Sequence, residues 1–147
     1  MNIEDTEKTR KQNLKGSDTR DAFKHWHKTL DKSFYSCDID FVFVVKKPHA
    51  HIVAVIDFKT GIDSITFTEV IVYNEIKEMG IPIYIVSANP SLPPYVCMTI
   101  KQYMDGDWRP NPPHVNLKII LENITVEKYA IWEKDLRNKS MEVSSVR

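Results

Sequence analysis

The chain is predicted to fold as an α/β or α+β domain with a mixed central β-sheet flanked by helices. Two apolar, β-branched segments, His51–Thr60 and Ile81–Val86, read as buried strands with a helix between them. Because a strand, a helix and a strand within about 35 residues form a crossover unit, these two strands are expected to be parallel. Turn residues around Pro48 add an antiparallel hairpin, so the sheet is expected to be mixed.

Composition and length support one globular domain. The chain has 147 residues, of which 42% are hydrophobic and 27% are charged, as in ordinary soluble proteins. We expect a domain over residues 17–138, with a flexible N-terminal segment over 1–16 and a flexible C-terminal tail over 139–147. The formal net charge is zero, so no overall field favours nucleic acid or membrane. A basic excess between Lys8 and Lys32 is typical of a solvated helix face, and contact with phosphates is the alternative.

Cysteine use and hydropathy predict a cytoplasmic protein with reduced thiols. Cys37 and Cys97 are the two cysteines of the sequence and lack a metal-type spacing. The Met1 end carries no apolar run like that of a signal sequence, and no stretch approaches the ~20 apolar residues of a membrane span. No membrane association is therefore expected.

The elements before the crossover are a helix and a strand region. Ser17 or Asp18 can cap a helix that reaches about Leu30. Its apolar stripe consists of Ala22, Phe23, Trp26 and Leu30. A strand or strand pair is predicted over Phe34–Val45, ahead of the strand over His51–Thr60.

The second helix has the clearest end signals. Thr66-Phe67-Thr68-Glu69 is a capping box, and Gly80 and Pro82 end the helix. With the strand over Ile81–Val86, the predicted order of core elements is α-β-β-(β)-α-β. A C-terminal extension of strands and a helix follows this core. The extension comprises an outer strand over Val96–Met104, a stiff proline-rich loop over Asp105–His114, a short strand over Val115–Leu121 and a closing helix over Val126–Arg137.

Acidic residues interrupt the two strands of the predicted hairpin. A turn centred near Pro48 places Asp40 opposite Asp57 and Asp38 opposite Lys59. An ordinary half-exposed sheet with a cross-strand Asp–Lys pair is one interpretation. Against it, Asp is disfavoured in strands, and the same face carries valines at positions 42, 44, 53 and 55. Clustered carboxylates beside an apolar surface raise a pKa or bind a cation, and hard oxygen ligands favour Mg²⁺ or Mn²⁺.

These residues resemble the motif of the PD-(D/E)xK nuclease superfamily. Asp40, followed after a hairpin by Asp57-Phe58-Lys59, matches its acid…(D/E)xK pattern, and the similarity extends over roughly Ser17–Asn89. The segment Asp38-Ile39-Asp40-Phe41-Val42 is similar to that of resolvase-like members. Two features depart from the pattern, since Cys37 rather than a proline precedes the first acid and the (D/E) position is the shorter Asp57.

The resemblance implies a restriction-endonuclease-like core and a Mg²⁺-dependent (or Mn²⁺-dependent) nuclease, with a DNA endonuclease as the leading expectation. Asp40, Asp57 and the backbone carbonyl of Phe58 would hold the metal, and Lys59 would orient the attacking water and stabilise the transition state. Asp38 would support a metal ligand or pair with Lys59. The alternative is a non-catalytic nucleic-acid-binding or assembly module on the same fold.

Nucleic acid, in particular DNA, is the expected partner. Lys24, His27 and Lys28 on the first helix and Trp108 and Arg109 in the proline-rich loop are candidate nucleic-acid-binding residues, with the Trp108 ring available to stack on a base. Specificity is expected to come from dimerisation, for instance a homodimer, or from another partner. Asp21 is interpreted as solvated and Glu69 as the capping residue. Tyr73 and Asn74 are at positions where related folds can carry a polar residue that reaches the site, and for Tyr73 a core role is the favoured interpretation.

Overall fold

A computed structural model describes residues 18–28, 35, 37–60, 64–88 and 97–146, with side chains as far as Met141. Several predictions lie outside these residues: the flexible segment 1–16, the Ser17 cap, the helix end at Leu30 and the strand start at Phe34. The chain divides into two compact units, Met1–Ser36 and Cys37–Arg147, which are described separately.

The described part of the first unit is one helix, α1, over residues 18–27. Its predicted apolar side carries an aromatic cluster. The Phe23 ring stacks on His27 with centroids 5.7 Å apart and lies 5.8 Å from the Trp26 ring. Phe23 and Trp26 are both more than half exposed.

The second unit contains a five-stranded mixed sheet in the order β1-β2-β3-β4-β5. Strands β2 and β3 pair in parallel and the other neighbours are antiparallel, which confirms the predicted mixed sheet and crossover. The elements are β1 (Phe41–Val45), β2 (His51–Thr60), α2 (Phe67–Glu78), β3 (Ile83–Ala88), β4 (Met98–Asp107), β5 (His114–Ile124) and α3 (Val126–Val146).

The β1–β2 hairpin has the predicted register. Phe41 lies opposite Ile56, so Asp40 comes directly before the pair and faces Asp57. A bulge between Phe43 and Val44 shifts the register toward the turn. Because β1 begins only at Phe41, Asp38 precedes the strand, whereas the sequence placed it within one.

The two faces of the sheet are covered by different helices, because neighbouring residues of a strand point to opposite sides. Val55 packs in a cluster with Tyr73 of α2, and Ile56 packs in a cluster with Tyr129 and Trp132 of α3. Strand β2 is therefore buried on both sides through its centre, as predicted. We call the side covered by α2 the α2 face and the other side the α3 face.

Helix α2 has the predicted ends. The Thr66 side chain accepts from the Glu69 N–H, and the Glu69 side chain accepts from the Thr66 N–H, completing the capping box. Gly80 follows the helix with φ of +81°, a conformation that favours glycine.

The C-terminal elements are longer than predicted. Strand β4 runs to Asp107 and β5 begins at His114, which shortens the proline-rich loop. Helix α3 continues through Val146, although the sequence predicted its end at Arg137 and a flexible tail from residue 139. Neither Gly nor Pro interrupts this segment, and Leu136 and Met141 pack against the hairpin cluster of Val45, Val53 and Ala54. Among the helices that the structure describes, none is both long and apolar enough to cross a membrane.

Gly106 marks a close approach between α2 and the β4–β5 hairpin. A Cβ atom there would lie 2.5 Å from the Tyr103 hydroxyl and 3.0 Å from the His114 carbonyl oxygen. The Tyr103 hydroxyl donates to Asn74 Oδ1 (2.6 Å), and Asn74 Nδ2 donates to the Gly106 carbonyl (3.1 Å). Asn74 therefore connects α2 to this hairpin and does not reach the acidic residues.

We expect Gly106→Ala to lower the free energy of unfolding by about 2 kcal/mol, since overpacking a closed site forces neighbours to shift. Urea denaturation of the variant and the parent protein measures this difference. An Ala substitution of the exposed Glu122 is the control and should change stability by less than about 0.5 kcal/mol. Equal stability of the Gly106→Ala variant and the parent would contradict the close approach.

Candidate active site

Asp40 and Asp57 are held together by reciprocal hydrogen bonds to the backbone. The Asp40 N–H donates to Asp57 Oδ1 at 2.8 Å, and the Phe58 N–H donates to Asp40 Oδ2 at 2.7 Å. Each carboxylate is thus fixed by the strand that carries the other. Asp57 is 1% exposed and Asp40 is exposed, so the pair extends from the buried sheet to solvent.

Tyr73 and Glu69 of α2 complete the buried side of the site. They are four residues apart, so they lie on the same side of the helix. The Tyr73 hydroxyl donates to Asp57 Oδ2 and lies 3.3 Å from Glu69 Oε2. Tyr73 is fully buried and also packs in the core. A buried tyrosine hydroxyl normally finds a polar partner, and here that partner is the candidate catalytic carboxylate.

Lys59 forms its ion pair with Glu69 rather than with Asp38, the partner expected from the sequence. Lys59 Nζ donates to Glu69 Oε2, and the two side chains are 18% and 9% exposed. The other oxygen, Glu69 Oε1, accepts from the Thr66 N–H at 2.9 Å. One carboxylate therefore both caps α2 and positions the Lys59 ammonium.

The two buried carboxyl groups have opposite pKa shifts. Burial raises the pKa of Asp57, and the negative charges of Asp40 and Glu69 add to the rise against opposing hydrogen bonds from Tyr73 and Asp40. Burial alone would also raise the pKa of Glu69, but the hydrogen bonds from Lys59 and the Thr66 backbone outweigh it and lower the pKa. Two neighbouring acids with pKa values moved apart are a common feature of active sites.

Cys37 adjoins the acids but is unsuited to act as a nucleophile. Burial, followed by the negative charges of Glu69 and Asp57, raises the pKa of its thiol to about 11. The thiolate is the reactive form of cysteine, so at neutral pH Cys37 remains a protonated thiol.

The carboxylates fit a hard divalent cation bound partly by water. Within the described ranges, no three or more His, Cys, Asp or Glu side chains form a metal-holding group. Mg²⁺ commonly uses one or two carboxylates and keeps several waters, so Asp40 and Asp57 suffice as protein ligands. Each carboxylate oxygen has two lone-pair sites, and the hydrogen bonds to Asp57 therefore leave sites for a cation.

The structure brings three predicted side chains together, those of Asp40, Asp57 and Lys59. Phe58, predicted to act through its backbone carbonyl, contacts Asp40 through its backbone N–H. Asp38 precedes β1. In the first unit, Asp21, Lys24 and His27 are exposed on α1, and Lys28, also exposed, directly follows that helix. Trp108 and Arg109 are exposed between β4 and β5, where Arg109 Nε lies 3.6 Å from Asp107 Oδ1.

Sequence reasoning missed the role of Glu69 in the site, because its capping box already explains it. Tyr73 is at a position where related folds can carry a polar residue that reaches the site, although the sequence favours a core role, and the structure gives it both a core contact and the bond to Asp57. The available signal was their spacing: a capped helix that directly follows the acid–x–Lys strand presents positions 69 and 73 on one side.

No protein-family model matches the chain, and neither a curated protein nor a solved structure shows significant similarity to it.

Proposed function

We propose that the protein is a metal-dependent nuclease that hydrolyses phosphodiester bonds of nucleic acid, with a DNA endonuclease as the favoured form. The observation that carries this proposal is the arrangement of Asp57. Its buried carboxylate accepts hydrogen bonds from the Asp40 N–H and the Tyr73 hydroxyl. Lys59 lies two residues further along the same face of β2. This is the acid, acid and lysine combination of the nuclease motif that the sequence resembles, and it can bind a metal ion and stabilise charge on a phosphate.

The order of elements also supports the proposal. The β1–β2 hairpin carries both acids, α2 follows, and β3 returns parallel to β2. A restriction-endonuclease-like core has this order from its acid-bearing strands onward, and that finer fold assignment is part of the proposal.

Asp40 and Asp57, together with the Phe58 carbonyl, would hold Mg²⁺ or Mn²⁺. When bound, the ion supplies a water of lowered pKa and positive charge beside the scissile phosphate. Asp40 is the exposed member of the pair, so exchange with solvent and substrate takes place on its side. Tyr73 and the Asp40 N–H hold both oxygens of Asp57 in fixed positions.

Lys59 provides the positive charge for the reacting phosphate. An ammonium has three N–H donors, and the bond to Glu69 Oε2 leaves two for a phosphate oxygen and the attacking water. Since Glu69 is itself fixed by the α2 cap, the ammonium is positioned before substrate binds. Such preorganised charge stabilises the charge that develops in a transition state.

Incubation of labelled DNA and RNA substrates with Mg²⁺, Mn²⁺ or a chelator tests the function. The set includes duplexes, junctions, flaps and single strands. We expect cleavage only with a divalent metal and a decrease of at least about 100-fold for Asp40→Asn, the upper range for disturbing a metal site's surroundings. Asp135→Asn is the control and should cleave like the parent, because Asp135 is exposed on α3. Cleavage retained in the chelator, or unchanged by Asp40→Asn, would refute the proposal.

A non-catalytic module is the second candidate, because the buried polar groups satisfy one another without a ligand. Tyr73 bonds Asp57, and Lys59 bonds Glu69. A true metal site predicts that millimolar Mg²⁺ or Mn²⁺ raises the melting temperature of the parent protein but not of Asp40→Asn, since a ligand bound by the folded state stabilises it. No metal effect together with no cleavage would favour the module.

A further inference from the structure

A cleft of about 350 Å³ lies beside the acidic site. We call it the Lys101 cleft. Lys59 of β2 borders both the cleft and the acidic site, and Ser87 and Lys101 come from the next two strands. Pro112 and Pro113, in the β4–β5 turn, form another side.

Strand register places Lys101 on the same face as the acids. Asp57 pairs with Ile85, and Ile85 pairs with Lys101, so the three residues form one row across the sheet. Lys59 and Ser87 form the next row. Directly paired residues share a face, and neighbouring strands lie about 4.8 Å apart. The backbone at Lys101 is therefore roughly 10 Å from that at Asp57.

The charge in this cleft is not balanced. Lys59 has Glu69 as its counterion. Lys101, which is partly buried, forms no ion pair or hydrogen bond through its side chain with any residue of the described ranges, and the same holds for the Ser87 hydroxyl. A lysine that has no carboxylate partner and lines the same cleft as a serine hydroxyl is suited to bind an anion such as phosphate.

The remaining walls suit a sugar and a base. Ile85, Val115 and Leu117 provide apolar side chains, while the two prolines offer flat, rigid rings. The volume is at the low end of the range for small-molecule sites, about 300–1,000 Å³. A space of this size accepts one nucleotide but not a duplex.

We propose that the Lys101 cleft binds one unpaired nucleotide of the strand that is cut, with its phosphate at Lys101 and Ser87. This inference rests on the proposed nuclease function, since it gives the position of the strand next to the Asp57 site. It names the substrate class as nucleic acid with an unpaired segment at the cut. Lys101 is then a substrate-binding residue distinct from Lys59.

Lys101→Met tests the proposal, because methionine is unbranched, reaches as far as the lysine Cε and lacks the ammonium. The matched control is Lys118→Met. Lys118 is exposed on β5 and pairs with Gln102, the neighbour of Lys101, so it lies on the α3 face. Binding of a labelled single-stranded oligonucleotide is measured by fluorescence anisotropy with a chelator present, over a series of salt concentrations.

We expect Lys101→Met to weaken binding of the single strand about fivefold and to reduce the slope of log K against log salt by about 0.7, one phosphate contact. Lys118→Met should bind like the parent, and Lys101→Arg should restore affinity. The parent should bind a single strand more tightly than a blunt duplex, and Lys101→Met should lose that preference. In cleavage, KM should rise about fivefold while kcat stays within about twofold.

The outcomes separate the cleft from the nuclease function. Equal binding by Lys101→Met and Lys118→Met, with cleavage intact, would overturn the cleft and leave the nuclease standing. Weaker binding by Lys101→Met without any metal-dependent cleavage would support the cleft and refute the nuclease. A free nucleoside monophosphate that competes as strongly as the oligonucleotide would overturn the strand assignment, as would an equal loss of duplex binding.

Discussion

Asp57→Asn is expected to lower cleavage by more than about 100-fold, beyond the effect of altering a residue around a metal site, and at the same time to raise the melting temperature at neutral pH. The first effect follows because the amide cannot supply the negative charge that a metal ligand needs at this position. The second follows because the Asp57 carboxylate is 1% exposed and burial raises its pKa. Its charged form therefore costs the folded state free energy at neutral pH.

The substituted amide can keep the hydrogen bonds of the carboxylate. Its oxygen can accept from the Asp40 N–H, and its NH₂ group can donate to the Tyr73 hydroxyl oxygen. The Tyr73 proton can then turn to Glu69 Oε2, which lies 3.3 Å away. The amide therefore keeps a partner for its oxygen and for one of its two N–H groups, and the removed charge is expected to be the main change in stability.

The pH dependence of stability gives the same prediction a second test. Because the pKa of Asp57 is raised on folding, the folded state binds more protons than the unfolded state between the two pKa values. Stability therefore falls as pH rises through that interval, and the deficit is complete above the folded pKa. The advantage of Asp57→Asn should be complete above the raised folded pKa, shrink as pH falls toward 3.8, the ordinary value for Asp, and be absent below it.

Thermal unfolding followed by circular dichroism across this pH range measures the difference, and cleavage of the best substrate measures activity. Asp135→Asn is the control, because Asp135 is exposed on α3. A less stable Asp57→Asn variant at neutral pH would contradict the burial cost. Retained cleavage would contradict the role of Asp57.

The sequence allowed the hairpin register and the crossover to be predicted because both depend on local patterns. Alternating residues and the turn near Pro48 place Phe41 opposite Ile56, and the capping box with Gly80 bounds α2. The start of β1 was less predictable, since Cys37–Asp40 alternates apolar and acidic residues as a half-exposed strand can but is not paired as one.

The contacts across the sheet could not be predicted from local patterns. Tyr73 is compatible with a purely apolar core until its helix is placed over Asp57. Glu69 already has a complete local explanation in the α2 cap, which conceals its second partner. Lys101 alternates correctly for a strand, but only the position of β4 beside β3 brings it into the row of Asp57.

Removing the Lys59 ammonium is expected to destabilise the protein through Glu69, independently of catalysis. Lys59→Met leaves a carboxylate that is 9% exposed without its counterion. Breaking a buried ion pair from one side costs about 3 kcal/mol. Adding Glu69→Gln removes the unpaired carboxylate charge. The double variant should therefore regain part of the lost free energy of unfolding, with a coupling energy of about 1–3 kcal/mol. Cleavage should be absent from both Lys59 variants, because stability returns but the ammonium does not.

The lowered pKa of Glu69 sets the pH range of this ion pair. Its contribution is fully present above 4.5, the ordinary value for Glu, and is lost as pH falls through the lower folded value. The stability gap between the parent and Glu69→Gln should therefore close in acid.

Urea denaturation of the parent, the two single variants and the double variant, at pH 7 and in acid, measures the coupling between Lys59 and Glu69. Asp107 and Arg109, an exposed pair at 3.6 Å, provide the control cycle, with coupling below about 1 kcal/mol. Equal coupling in both cycles would show that Lys59 and Glu69 interact only as a surface pair. Full cleavage by the double variant would show that the Lys59 ammonium is not needed for catalysis.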